Sequence, residues 1–91
     1  MGFGDNPMIH DERMVDLRTP SGFRGARRFL GITVSQLSHE LEMGERTLWK
    51  YEAGDVRIPG PVRAYIRVML TARGKWPLRV AAIPAEDGAR L

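Results

Sequence analysis

The residues best equipped for chemistry lie between positions 33 and 57 of this 91-residue chain. Arg46 and Lys50 stand four apart, so on a helix they share a face, and Glu45 and Trp49 fall on the same side. A guanidinium presents donors in a fork that matches guanine O6 and N7 together, which makes Arg46 the best single candidate for reading a base edge. Lys50 reaches a guanine or a phosphate, and Glu45 can accept from a cytosine amino group or simply favour a helix N-terminus through the dipole. An outward Trp49 covers a thymine methyl or deoxyribose, or packs into a protein interface. His39, Glu40 and Glu42 offer acid–base groups, but no second histidine stands at ligand spacing. The absence of cysteine excludes disulfides, thiolate metal sites and cysteine nucleophiles. The chain is therefore expected not to be an enzyme and to require neither a metal nor a cofactor.

Charge supports a polyanionic partner. The net charge is +3, but residues 1–17 carry one arginine against four acids, residues 18–79 carry twelve Lys or Arg against five acids, and residues 80–91 one arginine against two acids. DNA or RNA is the usual reason for such a basic centre, although an anionic membrane surface or an acidic protein would select the same composition. Nowhere do about 18 apolar residues run together, and the N-terminal sequence lacks the basic-then-apolar order of a secretion signal. A cytoplasmic, DNA-associated protein with no membrane partner is expected.

Four segments with helical spacing must position these side chains. Thr19 is an N-cap with Pro20 at the first helical position, and Phe23, Ala26 and Leu30 share one face before a stop at Gly31. Gly22 and Gly25 each weaken this helix by roughly 1 kcal/mol relative to Ala, so it must depend on tertiary packing. Thr33-Val34-Ser35-Gln36 spells a capping box ahead of Leu37 and Leu41. After the short stretch Glu42-Met43-Gly44, a third helix covers 45–52 with Leu48 and Tyr51 inward. The fourth begins at Pro61 and carries Val62, Tyr65, Ile66, Met69 and Leu70 in one stripe, ending near Gly74. The flank 8–18 is open between a short helix, a strand and an ordered arm, and 78–83, bracketed by Pro77 and Pro84, has β-type residues without a regular alternation.

The stretch ITVSQLSHELEMGERTLWKYEAGD (32–55) resembles the helix-turn-helix of the Cro and repressor-type (XRE-like) family, and RTPSGFRGARRFLGIT (18–33) and RIPGPVRAYIRVML (57–70) are similar to the family's preceding and following helices. The resemblance implies an all-α fold of four to five short helices, lambda-repressor-like. It divides the chain into an arm or extension at 1–18, a DNA-binding domain at 19–73 and a tail at 74–91 that is a candidate for dimerisation. By position, the base-reading residues map onto Glu45, Arg46, Trp49 and Lys50. Phosphate contacts fall to the helix start at Thr33 and Val34 and to Thr47, with Val34 standing where relatives often carry glutamine, so that backbone amides must serve there, and Arg57 with Arg28 and Arg24 are alternative backbone contacts. Arg27 and Glu52 match a structural pair that orients the reading helix. Glu42 occupies a turn position where relatives commonly have glycine, and a left-handed backbone is expected at it.

The function so implied is a sequence-specific transcriptional regulator, a repressor of phage, prophage or antitoxin type that binds a palindromic double-stranded operator as a homodimer. The alternative is a helical protein-binding module, or an antitoxin acting mainly on a toxin or another protein partner.

Overall fold

Helix α1, Pro20–Leu30, begins where the sequence places its signals: the Thr19 hydroxyl accepts from the Gly22 amide at 3.0 Å, and Gly31 closes the helix in the left-handed region. These coordinates are a computed structural model that describes residues 13–83. Helix α2, Val34–Leu41, carries the complete capping box: the Gln36 amide donates to the Thr33 hydroxyl at 3.0 Å and the Thr33 amide to Gln36 Oε1 at 2.8 Å. Helix α3, Glu45–Ala53, runs one residue past its expected end, and α4, Gly60–Ala72, starts one residue early. A 3-10 turn follows at Val80–Ala82. The described residues thus form an all-helical domain with four α-helices and no strand.

Packing follows the apolar stripes. Phe23, Ala26 and Leu30 of α1 meet Leu37 of α2, Leu48 and Tyr51 of α3, and Val62, Ile66 and Leu70 of α4 in one core. Helix α1 packs on α3 and α4, and α2 packs on α3. Tyr65 and Met69 lie half-buried at the edge of this core, as does Leu41.

The core also takes in residues from both flanks. Val15, Leu17 and Leu78 are buried with the helical residues, and Trp76, Val80 and Ile83 pack against them. Backbone bonds tie the two flanks together: the Val15 amide donates to the Leu78 carbonyl at 2.7 Å, and the Val80 amide to the Arg13 carbonyl at 2.8 Å, around an antiparallel bridge between Met14 and Arg79. The arm and tail, to the extent that residues 13–18 and 74–83 describe them, pair with each other beside α1. Residues 1–12 and 84–91 of the arm and tail lie outside the described residues.

This pairing explains the two glycines of α1. A Cβ on Gly22 would collide with the Asp16 carbonyl and lie 2.8 Å from the Thr19 hydroxyl, and one on Gly25 would lie 2.6 Å from Ile83 Cδ1. Their helix-propensity penalty accompanies close approach of both flanks to the helix backbone.

Candidate nucleic-acid interface

Helix α3 is held from one side only. Leu48 is fully buried, and Tyr51 and Glu52 are nearly so, which occupies the i, i+3 and i+4 positions of a single face. The Tyr51 ring meets Phe23 edge-on, with centroids 6.3 Å apart and planes at 85°. Beside it, Arg27 Nε donates to Glu52 Oε2 at 2.6 Å and Nη2 to Oε1 at 3.1 Å, a two-pronged pair with side chains only 10% and 2% exposed. The third nitrogen, Nη1, donates to the Ile32 carbonyl at 2.8 Å, so Arg27 ties α3 to the end of α1 and to the chain leading into α2. The pair named by position in the sequence is formed.

The opposite side of α3 is open. Glu45, Arg46, Trp49 and Lys50 are all exposed, Trp49 at 53%. Gly44 caps the helix without a side-chain bond, and Glu45 lies in the first turn, where the helix dipole favours an acid. At the other end Gly54 adopts φ 84°, and the Asp55 amide returns to the Lys50 carbonyl at 2.9 Å, so the helix stops cleanly before the loop carrying Arg57.

The connection between α2 and α3 turns at Glu42, which has φ 56° and ψ 45°, the left-handed conformation expected there. The Met43 amide donates to the Ser38 carbonyl at 3.0 Å and closes the end of α2. Among the phosphate candidates, Thr33 is exposed but its hydroxyl is engaged as the cap, and the Val34 side chain is buried. Only main-chain amides at this helix start are left to meet an outside anion. Thr47 is half-buried, while Arg57 and Arg28 are exposed, Arg28 on α1 and Arg57 in the loop after α3.

Arg57 does not stand by itself. It lines a concavity with Asp16, Arg18, Ile58 and Arg63, and an adjoining one shares Asp16, Arg18 and Arg63 and adds Arg67 and Trp76. Sequence reading did not find this cluster, because Arg18 and Arg63 are 45 positions apart and the local text around each reads as ordinary surface charge. His39 is exposed on α2 and borders a shallow groove with Gln36, Glu40 and Tyr65. Tyr65 donates to Glu40 Oε1 at 3.3 Å. Partial burial, reinforced by the Glu40 carboxylate, pushes the Tyr65 hydroxyl above its ordinary value of 10.0. Among the described residues no group of three or more His, Asp or Glu side chains is placed to hold a metal ion, and no helix is long and apolar enough to cross a membrane.

Compared with models of known families, with curated proteins and with solved structures, the chain gives no match. The functional reading therefore rests on the geometry of α2 and α3 and on the charge around them.

Proposed function

We propose that this chain is a sequence-specific DNA-binding regulator of the Cro and repressor type, with α2 and α3 forming a helix-turn-helix and α3 entering the major groove. The observation that carries the reading is the two-sidedness of α3: Leu48, Tyr51 and Glu52 anchor it, while Glu45, Arg46, Trp49 and Lys50 project outward together. An α-helix is about 10–12 Å across with its side chains, so a major groove about 12 Å wide admits one such helix.

In this reading Arg46 forks onto a guanine near the helix start, Lys50 takes a base or phosphate one turn later, and Trp49 covers the sugar or a thymine methyl between them. The first amides of α2, at Val34 and Ser35, grip a backbone phosphate beside the groove, and Arg57 grips another. One short helix reads only a few base pairs, so two copies on paired half-sites supply the specificity of an operator. Occupying a promoter is the action such a small domain can perform, which makes repression the proposed outcome.

Trp49, an exposed aromatic residue at 53%, is the observation that favours the second reading, a protein-binding surface on the open side of α3. Selecting bound sites from random double-stranded DNA with the purified chain separates the two. Enrichment of a common sequence is expected, and Arg46→Ala should then cost roughly 1–3 kcal/mol on that site and flatten preference at one base position. Arg28→Ala should weaken all sequences about equally or leave them unchanged. No enrichment would overturn the DNA reading, and a base preference altered by Arg28→Ala but not by Arg46→Ala would overturn the placement of the reading helix.

A further inference from the structure

We infer that the concavity between the N-terminal flank and the start of α4 is a binding site for a phosphoryl oxyanion, held by Arg18, Arg57 and Arg63 with Arg67 at its shoulder. Two joined hollows bring these four arginines around one carboxylate, Asp16, a local balance of +3 that equals the net charge of the whole chain. Four guanidinium groups sharing one acid repel one another, and an anion with several oxygens relieves that repulsion.

Two of the arginines are already oriented. Arg18 Nε and Nη2 each donate to Asp16 at 3.0 Å, and Asp16 Oδ1 also accepts the Arg18 amide at 2.9 Å. This leaves Arg18 Nη1 without an acceptor among the described residues. Arg63 Nε donates to the Ile58 carbonyl at 3.2 Å, and its Nη2 lies 3.5 Å from the Cβ position of Gly60. The Arg63 guanidinium thus folds over the first turn of α4 with neither terminal nitrogen bonded to an acceptor among the described residues. That turn adds a second attraction, because Pro59 caps α4 with no side-chain bond and no acid stands in its first turn. The amides of Gly60 and Val62 and the positive end of the helix dipole face the start of the helix unneutralised.

The shared chemistry is a phosphate group, and it has two sources: a backbone phosphate of DNA lying against α3, or a free phosphoanion. Titrating the full chain with pyrophosphate, followed through arginine Nε–H and backbone amide resonances, tests the site directly. Saturable shifts at Arg18, Arg63, Gly60 and Val62 are expected. Arg18→Gln or Arg57→Gln should weaken binding about fivefold to tenfold, in line with the loss of one charge-assisted bond. Asp16→Asn should tighten it about fivefold, since it removes the one competing carboxylate at short range. A merely structural role for the arginines would not give that gain.

Pyrophosphate that competes with double-stranded DNA identifies the backbone as the source, and pyrophosphate that binds without displacing DNA identifies a free phosphoanion. If pyrophosphate does not bind, a DNA salt slope lowered by about one in each arginine variant still assigns the site to the backbone. The inference is overturned if pyrophosphate fails to bind and the salt slopes are unchanged, or if the arginine variants bind pyrophosphate as the wild type does. Failure of the α3 reading is distinct: it appears as missing base preference in the selection, with pyrophosphate binding intact.

Discussion

Breaking the Arg27–Glu52 pair is expected to destabilise this domain more than any exposed substitution on the proposed DNA face. With side chains 10% and 2% exposed and bonds of 2.6 and 3.1 Å, each partner has exchanged its hydration for the other. Glu52→Gln leaves a buried guanidinium facing an amide, and Arg27→Met leaves a buried carboxylate without its donors and also strips the Ile32 carbonyl of its 2.8 Å bond. Removing one partner of such a pair costs roughly 3–5 kcal/mol, against about 0.2–1 kcal/mol for an exposed pair. Total stability for a chain of this size is about 5–14 kcal/mol, so either variant consumes a large part of it. At about 4–8 °C per kcal/mol, the midpoint of thermal unfolding should fall by roughly 12–40 °C. Arg27→Met should be the worse of the two, because it loses all three bonds of Arg27, whereas the amide oxygen introduced by Glu52→Gln can still accept one. The double variant should cost clearly less than the sum of the singles, since it leaves no unpaired charge behind. Urea and thermal melts followed by helical circular dichroism measure all three. Single losses below about 1 kcal/mol that add in the double variant would refute the reasoning.

Glu42→Gly should stabilise the fold by about 1 kcal/mol, because it removes the strain of a left-handed residue with a Cβ; a higher urea midpoint at unchanged slope is the expected reading, and a loss would contradict the left-handed turn. Gly22→Ala should destabilise by roughly 1–3 kcal/mol although alanine is the better helix former, because its methyl meets the Asp16 carbonyl, whereas Gly25→Ala meets only the movable end of Ile83 and should cost less. Tyr65 should ionise above 10.0 in an ultraviolet titration, Tyr65→Phe should delete that step, and Glu40→Gln should bring it part of the way down because burial, the larger cause, remains. Because burial and the Glu40 carboxylate disfavour the ionised form, wild-type stability keeps its full Tyr65 contribution below pH 10.0 and loses it as pH rises through the folded-state value; the difference between wild-type and Tyr65→Phe melts should change only on that alkaline side, in favour of Tyr65→Phe. Asp16, held below its ordinary 3.8 first by the side-chain bond from Arg18, has the opposite sign: its contribution is present above pH 3.8 and disappears on acidification, so Asp16→Asn should differ from wild type at neutral pH and match it in strong acid.

Orientation is the link between stability and the proposed function. Glu52 belongs to α3, so the buried pair that stabilises the domain also fixes the rotation at which Arg46, Trp49 and Lys50 face outward. A variant that loosens the pair is expected to reduce affinity for a selected DNA site beyond its effect on the folded fraction. A substitution at Arg46 should leave the melt nearly unchanged.

The sequence by itself determined what is decided within one helical turn. Thr19 with Pro20, the Thr33–Gln36 box, Glu42 and the terminal glycines set where α1, α2 and α3 begin and end, since caps and left-handed residues act over three or four positions. Leu48 and Tyr51 set which side of α3 is buried, and so which side is left to Glu45, Arg46, Trp49 and Lys50. Only the tertiary structure decided the rest. Val15, Leu17 and Leu78 join the core through pairing between the two ends of the described chain, and no periodicity in either short flank announces a partner more than 60 residues away. Gly22 and Gly25 read as weak points of a helix until the Asp16 carbonyl and Ile83 are found against them. Arg18, Arg57 and Arg63 become one charged hollow because the flank folds back beside the start of α4, an outcome of burying Leu17 and Ile58 rather than of any pattern among the arginines themselves.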